Sequence, residues 1–322
     1  MPDIPLVDLS LAGGPRRDTV IGQIDAAFRE IGFVYLSEHG IPAHTVESIR
    51  AAVIAYFDRS TSEKGRDRIT RDNYRGYIPT GFFTANSGGG DADNYEGYKL
   101  HLETDPRDPI VAECDLYGPN RWPAAPKRFR EAVMNYWLAC DRVADTLLEI
   151  AATILGIDRK WFLDLFEKPM TNMTLLHYPP ADSRLNSCGI HPHKDTDAFT
   201  ILAGDNVSGL MVRRRGGDQW IEARPPAGSL VVNLGDLLEL WSGGYFVSTP
   251  HKVVDISGKD RYSFPYFLVP RFDTIVEPLR KPVDGFNRAP VHVGDVSREV
   301  WRTNWPDAEQ KDGSYDLGTL HD

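Results

Sequence analysis

The sequence predicts an α+β fold: a double-sheet β jelly roll preceded by a mainly helical first half. Two observations carry this. Before residue 170, apolar residues recur at helical spacing over long stretches. After residue 171, TNMTLLHYPP, FTILAGD, GLMVRR, QWIEARP, SLVVNLGD, FVSTPHKVVD and YSFPYFLVP follow one another as short β-rich runs. Gly, Pro, Asn and Asp punctuate them, the pattern of an all-β sandwich or barrel. No helical pattern separates the runs, which disfavours parallel βαβ units, and a jelly roll suits their number.

Residues 18–31 place Val20, Ile24, Ala27, Phe28 and Ile31 on one helical face, and the strand GFVYLS (32–37) follows. Residues 43–58 and 126–156 again read as helices. The second carries a long stripe of Val133, Trp137, Cys140, Ala144, Leu147 and Ile150, which reads as core packing. Residues 73–103 are rich in Gly, Asn and aromatics. Ser87-Gly88-Gly89-Gly90 lacks side-chain bulk, so this segment is either a lid or an ordinary irregular connection. Arg213-Arg214-Arg215 ahead of Gly216-Gly217 reads as a solvated hairpin tip. The expected organisation is a helical region over 1–170, the jelly-roll core over 171–282 and a polar tail over 283–322 with a helix near VSREVWRTNW. All three form one structural unit.

A net charge of −10 and a pI near 5.4 argue against nucleic acid as a partner. No apolar run is long enough to span a membrane, and MPDIPLVDLS does not read as a signal peptide. Cys114, Cys140 and Cys188 are sparse and odd in number, which fits a reducing compartment. A cytoplasmic protein, monomeric or weakly homo-oligomeric, is expected.

The stretch HPHKDTDAF (191–199) concentrates potential ligands. On a strand, residues at i and i+2 share a face, so His193 and Asp195 can converge on one ion. His251, in STPHKVV, can complete the set from elsewhere in the sheet. Two His and one carboxylate leave open coordination positions, the arrangement of non-haem Fe(II) oxygen chemistry, whereas structural zinc is closed by four ligands. On spacing alone a structural role for this trio stays open. Arg261 and Ser263 are also an i, i+2 pair, offering a planar fork and a hydroxyl suited to a carboxylate.

GIHPHKDTDAFTIL resembles the signature of the isopenicillin N synthase-like branch of the 2-oxoglutarate/Fe(II) oxygenases, filled by Gly189, His193, Asp195, Thr200 and Leu202. IPLVDLS, IGFVYLSEHGIP, GPNRWP, VVNLGDLLELWSGG, STPHKVV and RYSFPYFLVP extend the resemblance from about residue 4 to about residue 270. It implies a double-stranded β-helix core with Fe(II) on His193, Asp195 and His251. It implies 2-oxoglutarate held by Arg261 and Ser263, with Tyr178 beside it. O2 and a small molecule would be the co-reactants, and succinate and CO2 would be released. Asp195 stands where halogenating relatives lack a carboxylate, so hydroxylation, desaturation or cyclisation is implied.

Glu96 and Tyr98, in NYEGYKLHLE, are candidate substrate contacts by their place in the family pattern. Arg302 is another, by similarity to ethylene-forming enzyme. His191 falls where the family commonly has a small residue and is a further candidate. An amino acid or similarly small polar metabolite is the expected substrate, in natural-product biosynthesis. Two alternatives remain: an isopenicillin N synthase-like Fe(II) oxidase without 2-oxoglutarate, and a non-catalytic metal- or ligand-binding jelly roll.

Overall fold

The computed structural model describes residues 4–83, 92–180, 188–204, 207–213, 217–254, 258–303 and 305. The first half begins with β1 (Leu6–Asp8), α1 (Arg17–Glu30), β2 (Phe33–Ser37) and α2 (Ala43–Phe57). α1 buries Val20, Ile24, Ala27 and Phe28, the face expected from spacing. Next come α3 (Thr61–Gly65), β3 (Gly76–Ile78), β4 (Glu96–His101), α4 (Pro109–Glu113), α5 (Phe129–Leu155) and α6 (Arg159–Asp164). α5 buries its expected stripe and ends at Gly156. That residue's φ of 69° is left-handed backbone that glycine adopts without a Cβ penalty.

The second half supplies β5 (Asn172–Tyr178), β6 (Cys188–His193), β7 (Phe199–Gly204), β8 (Leu210–Arg213), β9 (Trp220–Glu222) and β10 (Leu230–Leu234). α7 (Asp236–Trp241), β11 (His251–Val254), β12 (Arg261–Leu268), β13 (Ile275–Val276), β14 (Val291–His292) and α8 (Val293–Thr303) complete the chain. The major sheet has the order β1-β2-β10-β7-β12-β5-β4-β3, the minor sheet β6-β11-β8-β9. Apart from the parallel β1–β2 pair, the pairings in both sheets are antiparallel.

Strand alternation splits the interior into two cores. On β12, Tyr262, Phe264 and Tyr266 join the larger core with α1, α2 and α5. Trp137 of α5 meets Tyr266 edge-on at 5.4 Å. Arg261 and Ser263 therefore point the other way, toward the minor sheet. The core on that side contains Phe33, Leu176, Tyr178, Leu210, Val212, Val231 and Val253. Emptying one fully buried ring such as Phe264 costs about 3–5 kcal/mol.

Two expectations need revision. The first 170 residues are not only a helical layer: β1 to β4 extend both edges of the major sheet. Residues 73–103 likewise contain a β-hairpin, with Tyr77 paired to Tyr98. Its aromatic content conceals the period-2 pattern. Ser87-Gly88-Gly89-Gly90, Arg214, Arg215 and residues 306–322 lie outside the described residues. The expected tail helix is α8, and Trp301 stacks on Tyr74 with ring centroids 4.9 Å apart. No helix among the described residues is long and apolar enough to cross a membrane.

Candidate active site

β6 and β11 pair antiparallel with His193 directly opposite His251. Asp195 follows β6, and its backbone oxygen accepts from the Asp236 N–H at 2.8 Å, which ties it to the start of α7. Asp195 Oδ1 then lies 3.7 Å from His193 Nε2 and 3.6 Å from His251 Nε2. One ligand atom from each residue lies within 4.8 Å of the others, and together they can hold a metal ion.

The atoms turned away from this point are all engaged. His193 Nδ1–H donates to His191 O at 2.7 Å, and His251 Nδ1–H donates to Thr249 O at 3.1 Å. A carbonyl only accepts, so each Nδ1 carries a proton and each Nε2 is the ring atom turned to the ion. Asp195 Oδ2 accepts from Thr200 Oγ1 at 2.5 Å and Asn233 Nδ2 at 2.7 Å, leaving Oδ1 for the ion. Burial holds His251 neutral by lowering its pKa to about 4. Burial raises the Asp195 pKa, but attraction to His251 and His193 in their protonated forms and the hydrogen bonds from Thr200 and Asn233 outweigh it, and the net shift is downward. Neutral imidazoles with an ionised carboxylate are the protonation states a metal requires. The donor set fits Fe(II).

Asp197 packs against this arrangement. Burial and the Asp195 charge push its pKa well above the usual carboxylate range. Thr200 Oγ1 lies 2.8 Å from Asp197 Oδ2 and 2.5 Å from Asp195 Oδ2, so the one hydroxyl bridges the two carboxyl groups. A Cβ at Gly235 would stand 2.0 Å from Asp197 Oδ1, so only glycine permits this approach.

Arg261 pairs across the sheet with Tyr178, and its guanidinium carbon lies 4.8 Å from the Tyr178 ring centroid. Nη1 reaches Ser263 Oγ at 3.4 Å and Nε reaches Val207 O at 3.3 Å. Five N–H donors less these two leave enough for a bidentate carboxylate. A cavity of about 250 Å³ lined by Leu202, Leu210, Val231 and Arg261 opens beside it.

A second cavity, of about 300 Å³, contains His193 and Asp195 in its wall. Tyr74, Phe83, Tyr95 and Phe267 line it, together with Asp93, Lys99, Asn172, Thr174 and His191. The backbone N–H and Nδ1–H of His191 donate to Asp93 Oδ1 at 3.0 and 2.7 Å, leaving Nε2 for other contacts.

Glu96 and Tyr98 do not reach this cavity. They occupy the opposite face of β4, because a one-residue step along a strand reverses the side chain. Glu96 is buried with Lys64 Nζ at 2.7 Å, Tyr77 Oη at 2.7 Å and His177 Nδ1 at 2.9 Å. Tyr98 is fully buried and donates to Arg121 O at 2.8 Å. Arg302 pairs with Glu299 on α8 and is not in the cavity wall, which α8 reaches through Val300. The residues missed are Tyr95 and Lys99. Alternation within NYEGYKLHLE separates them from Glu96 and Tyr98, but only the register reveals which face meets the metal.

Residues 170–270 match the model of the 2OG-Fe(II) oxygenase superfamily. Residues 4–125 match the model described as non-haem dioxygenase in morphine synthesis N-terminal. The homoarginine-6-hydroxylase 2-ODD-C23 of Glycine max is 30% identical, over 86% of this chain and 88% of the relative. The chain belongs to the 2OG-Fe(II) oxygenase superfamily. A second relative of this oxygenase, the homoarginine-6-hydroxylase 2-ODD-C23.1 of Arabidopsis thaliana, is 31% identical over 81% of this chain and 79% of its own. Among solved structures, a full-length Neurospora crassa protein in complex with alpha-KG and thymine superposes with a TM-score of 0.80 at 25% identity, covering 92% of this chain and 96% of that one. A putative 2OG-Fe(II) oxygenase family protein from Caulobacter crescentus superposes with a TM-score of 0.81 at 28% identity, covering 94% and 99%. The oxygenase is a 2-oxoglutarate/Fe(II)-dependent dioxygenase with a double-stranded β-helix core, as its motifs imply.

Proposed function

We propose that His193, Asp195 and His251 hold the iron and that Arg261 and Ser263 anchor the distal carboxylate of 2-oxoglutarate. The substrate is a small polar metabolite that enters the cavity between β4 and α8 and is hydroxylated there. Desaturation or cyclisation are the other outcomes of the same hydrogen abstraction. The observation that carries this reading is the convergence of two Nε2 atoms and Asp195 Oδ1, which lies 3.7 and 3.6 Å from them, with every opposing atom hydrogen-bonded. When bound, Fe(II) supplies the redox chemistry that couples decarboxylation of 2-oxoglutarate to oxygen insertion, releasing succinate and CO2.

The chain's own residues place and protect the reactants. Thr200 and Asn233 hold the Asp195 carboxylate in one orientation. Tyr178 underlies the guanidinium of Arg261. The rings of Tyr74, Phe83, Tyr95 and Phe267 give the substrate side an apolar wall. His191, held by Asp93, offers Nε2 as a polar contact to the substrate.

Homoarginine hydroxylation by two relatives supports an amino acid or similarly small polar substrate. The order of motifs supports placement in the isopenicillin N synthase-like branch. The free cysteines Cys114, Cys140 and Cys188 support a reducing, cytoplasmic setting. The experiment is succinate formation from 2-oxoglutarate with Fe(II) and O2. Wild-type protein should form it and His251→Ala should not. Equal turnover by the two would refute the assignment of His251.

A further inference from the structure

We propose that the substrate carries an anionic group, a carboxylate or its equivalent, that docks on Lys99 Nζ in the cavity beside the metal site. This rests on the reading of that cavity as the substrate site.

Among the described residues two lysines line the cavity, and they differ in how their charge is met. Lys194 has Asp236 Oδ1 at 3.6 Å and Glu239 Oε2 at 3.5 Å. Lys99 has no carboxylate of the described residues within ion-pair reach. Its Nζ donates to Asn172 Oδ1 at 2.6 Å and Thr174 Oγ1 at 3.0 Å, both neutral. The rings of Phe267 and Tyr74 stand 5.3 and 6.0 Å from Nζ. These four neighbours all line the same cavity, so the ammonium head lies at its wall. An ammonium has three donors, and the third has no acceptor among the described residues.

Enclosing a cation without a counter-ion is costly. Burial accordingly lowers the Lys99 pKa to about 7, although Asp195 and Asp197 oppose the shift. An arriving anion would fill the third hydrogen bond and supply the missing charge. The neutral collar of Asn172 and Thr174 aims the ammonium without neutralising it, and the rings offer cation–π contact that leaves a donor free. A lysine serving only to pack would be replaceable by an apolar residue at lower cost, and one serving structure through charge would meet a carboxylate, as Lys194 does.

The test uses matched pairs that differ only in charge: phenylacetate, hexanoate and N-acetylglycine, each against its primary amide. Binding is measured anaerobically by calorimetry on the Fe(II)-loaded protein with saturating 2-oxoglutarate, so that the metal and Arg261 are already engaged. Wild-type protein should prefer at least one acid over its amide by about 10- to 100-fold. Lys99→Met should bring acid and amide to within about 2-fold. A panel in which no acid binds better than its amide overturns the proposal, and that comparison needs no variant to fold. An undiminished preference in Lys99→Met overturns it too. Succinate formation by the wild type is scored separately: turnover without an acid preference defeats this proposal alone, whereas no turnover defeats the reading of the site.

Discussion

Replacing Arg261 by leucine should separate binding of the cosubstrate from everything else the site does. Arg261 is buried, and its neighbours include the apolar cluster of Tyr178, Leu210 and Val253, so leucine is tolerated sterically. Among the described residues the hydrogen-bond partners of Arg261 are neutral oxygens at 3.3 and 3.4 Å, so the charge has no carboxylate partner there to lose. What leucine removes is the bidentate grip on a carboxylate. Two charge-assisted hydrogen bonds, at about 1.5–3 kcal/mol each, give a loss of about 3–4 kcal/mol once the ligand's partial rehydration is allowed for. The Kd for 2-oxoglutarate should therefore rise about 100- to 1,000-fold. Ser263→Ala removes one neutral contact worth about 1 kcal/mol and should raise it only about 5-fold. The assay is anaerobic calorimetric titration of the Fe(II)-loaded protein with 2-oxoglutarate. If Arg261→Leu weakens binding by less than about 5-fold, Arg261 is not the anchor and the cosubstrate lies elsewhere.

Thr200→Val removes a hydrogen bond that orients Asp195 and should lower Fe(II) affinity about 10-fold, read by competition with a chromogenic chelator; unchanged affinity would sink that role. Glu96→Ala strands the buried Lys64 ammonium and should cost at least about 3 kcal/mol in denaturant unfolding, whereas Tyr98→Phe should cost about 1 kcal/mol and leave KM for substrate unchanged. Stability should also decline as pH rises above 6.5, the ordinary imidazole value. Burial lowers the His177 pKa, but hydrogen bonds to Glu96 and Asp260 more than offset it, and the net shift is upward. A raised imidazole contributes fully below the unfolded value and loses its contribution as pH climbs through the folded one. Melting curves from about pH 6 to 9 should show this decline in the wild type and a shallower one in His177→Gln.

Much of the active site is legible locally. HxD on a strand places His193 and Asp195 on one side of the chain, and RxS does the same for Arg261 and Ser263, because strand periodicity is a short-range property. Helices α1, α2 and α5 are legible for the same reason, through their apolar stripes. The substrate contacts are not. The aromatic content of β4 hides the strand, and Glu96 and Tyr98 belong to the face that meets α2 and α5. Arg302 is turned to Glu299 on its own helix, a choice that depends on how α8 lies against the cavity.

The sequence by itself determined the chemistry: which side chains can bind iron, which can clamp a carboxylate, and that a jelly roll carries them. Only the tertiary structure decided which face of β4 confronts the metal. Register between distant strands sets that choice, with Glu96 opposite His177 and Lys99 opposite Thr174. Register depends on pairing energies summed over the whole sheet, and a short stretch of chain does not contain them. The same pairing leaves Lys99 at the cavity wall with neutral partners, a charge imbalance that no spacing along the chain could have shown.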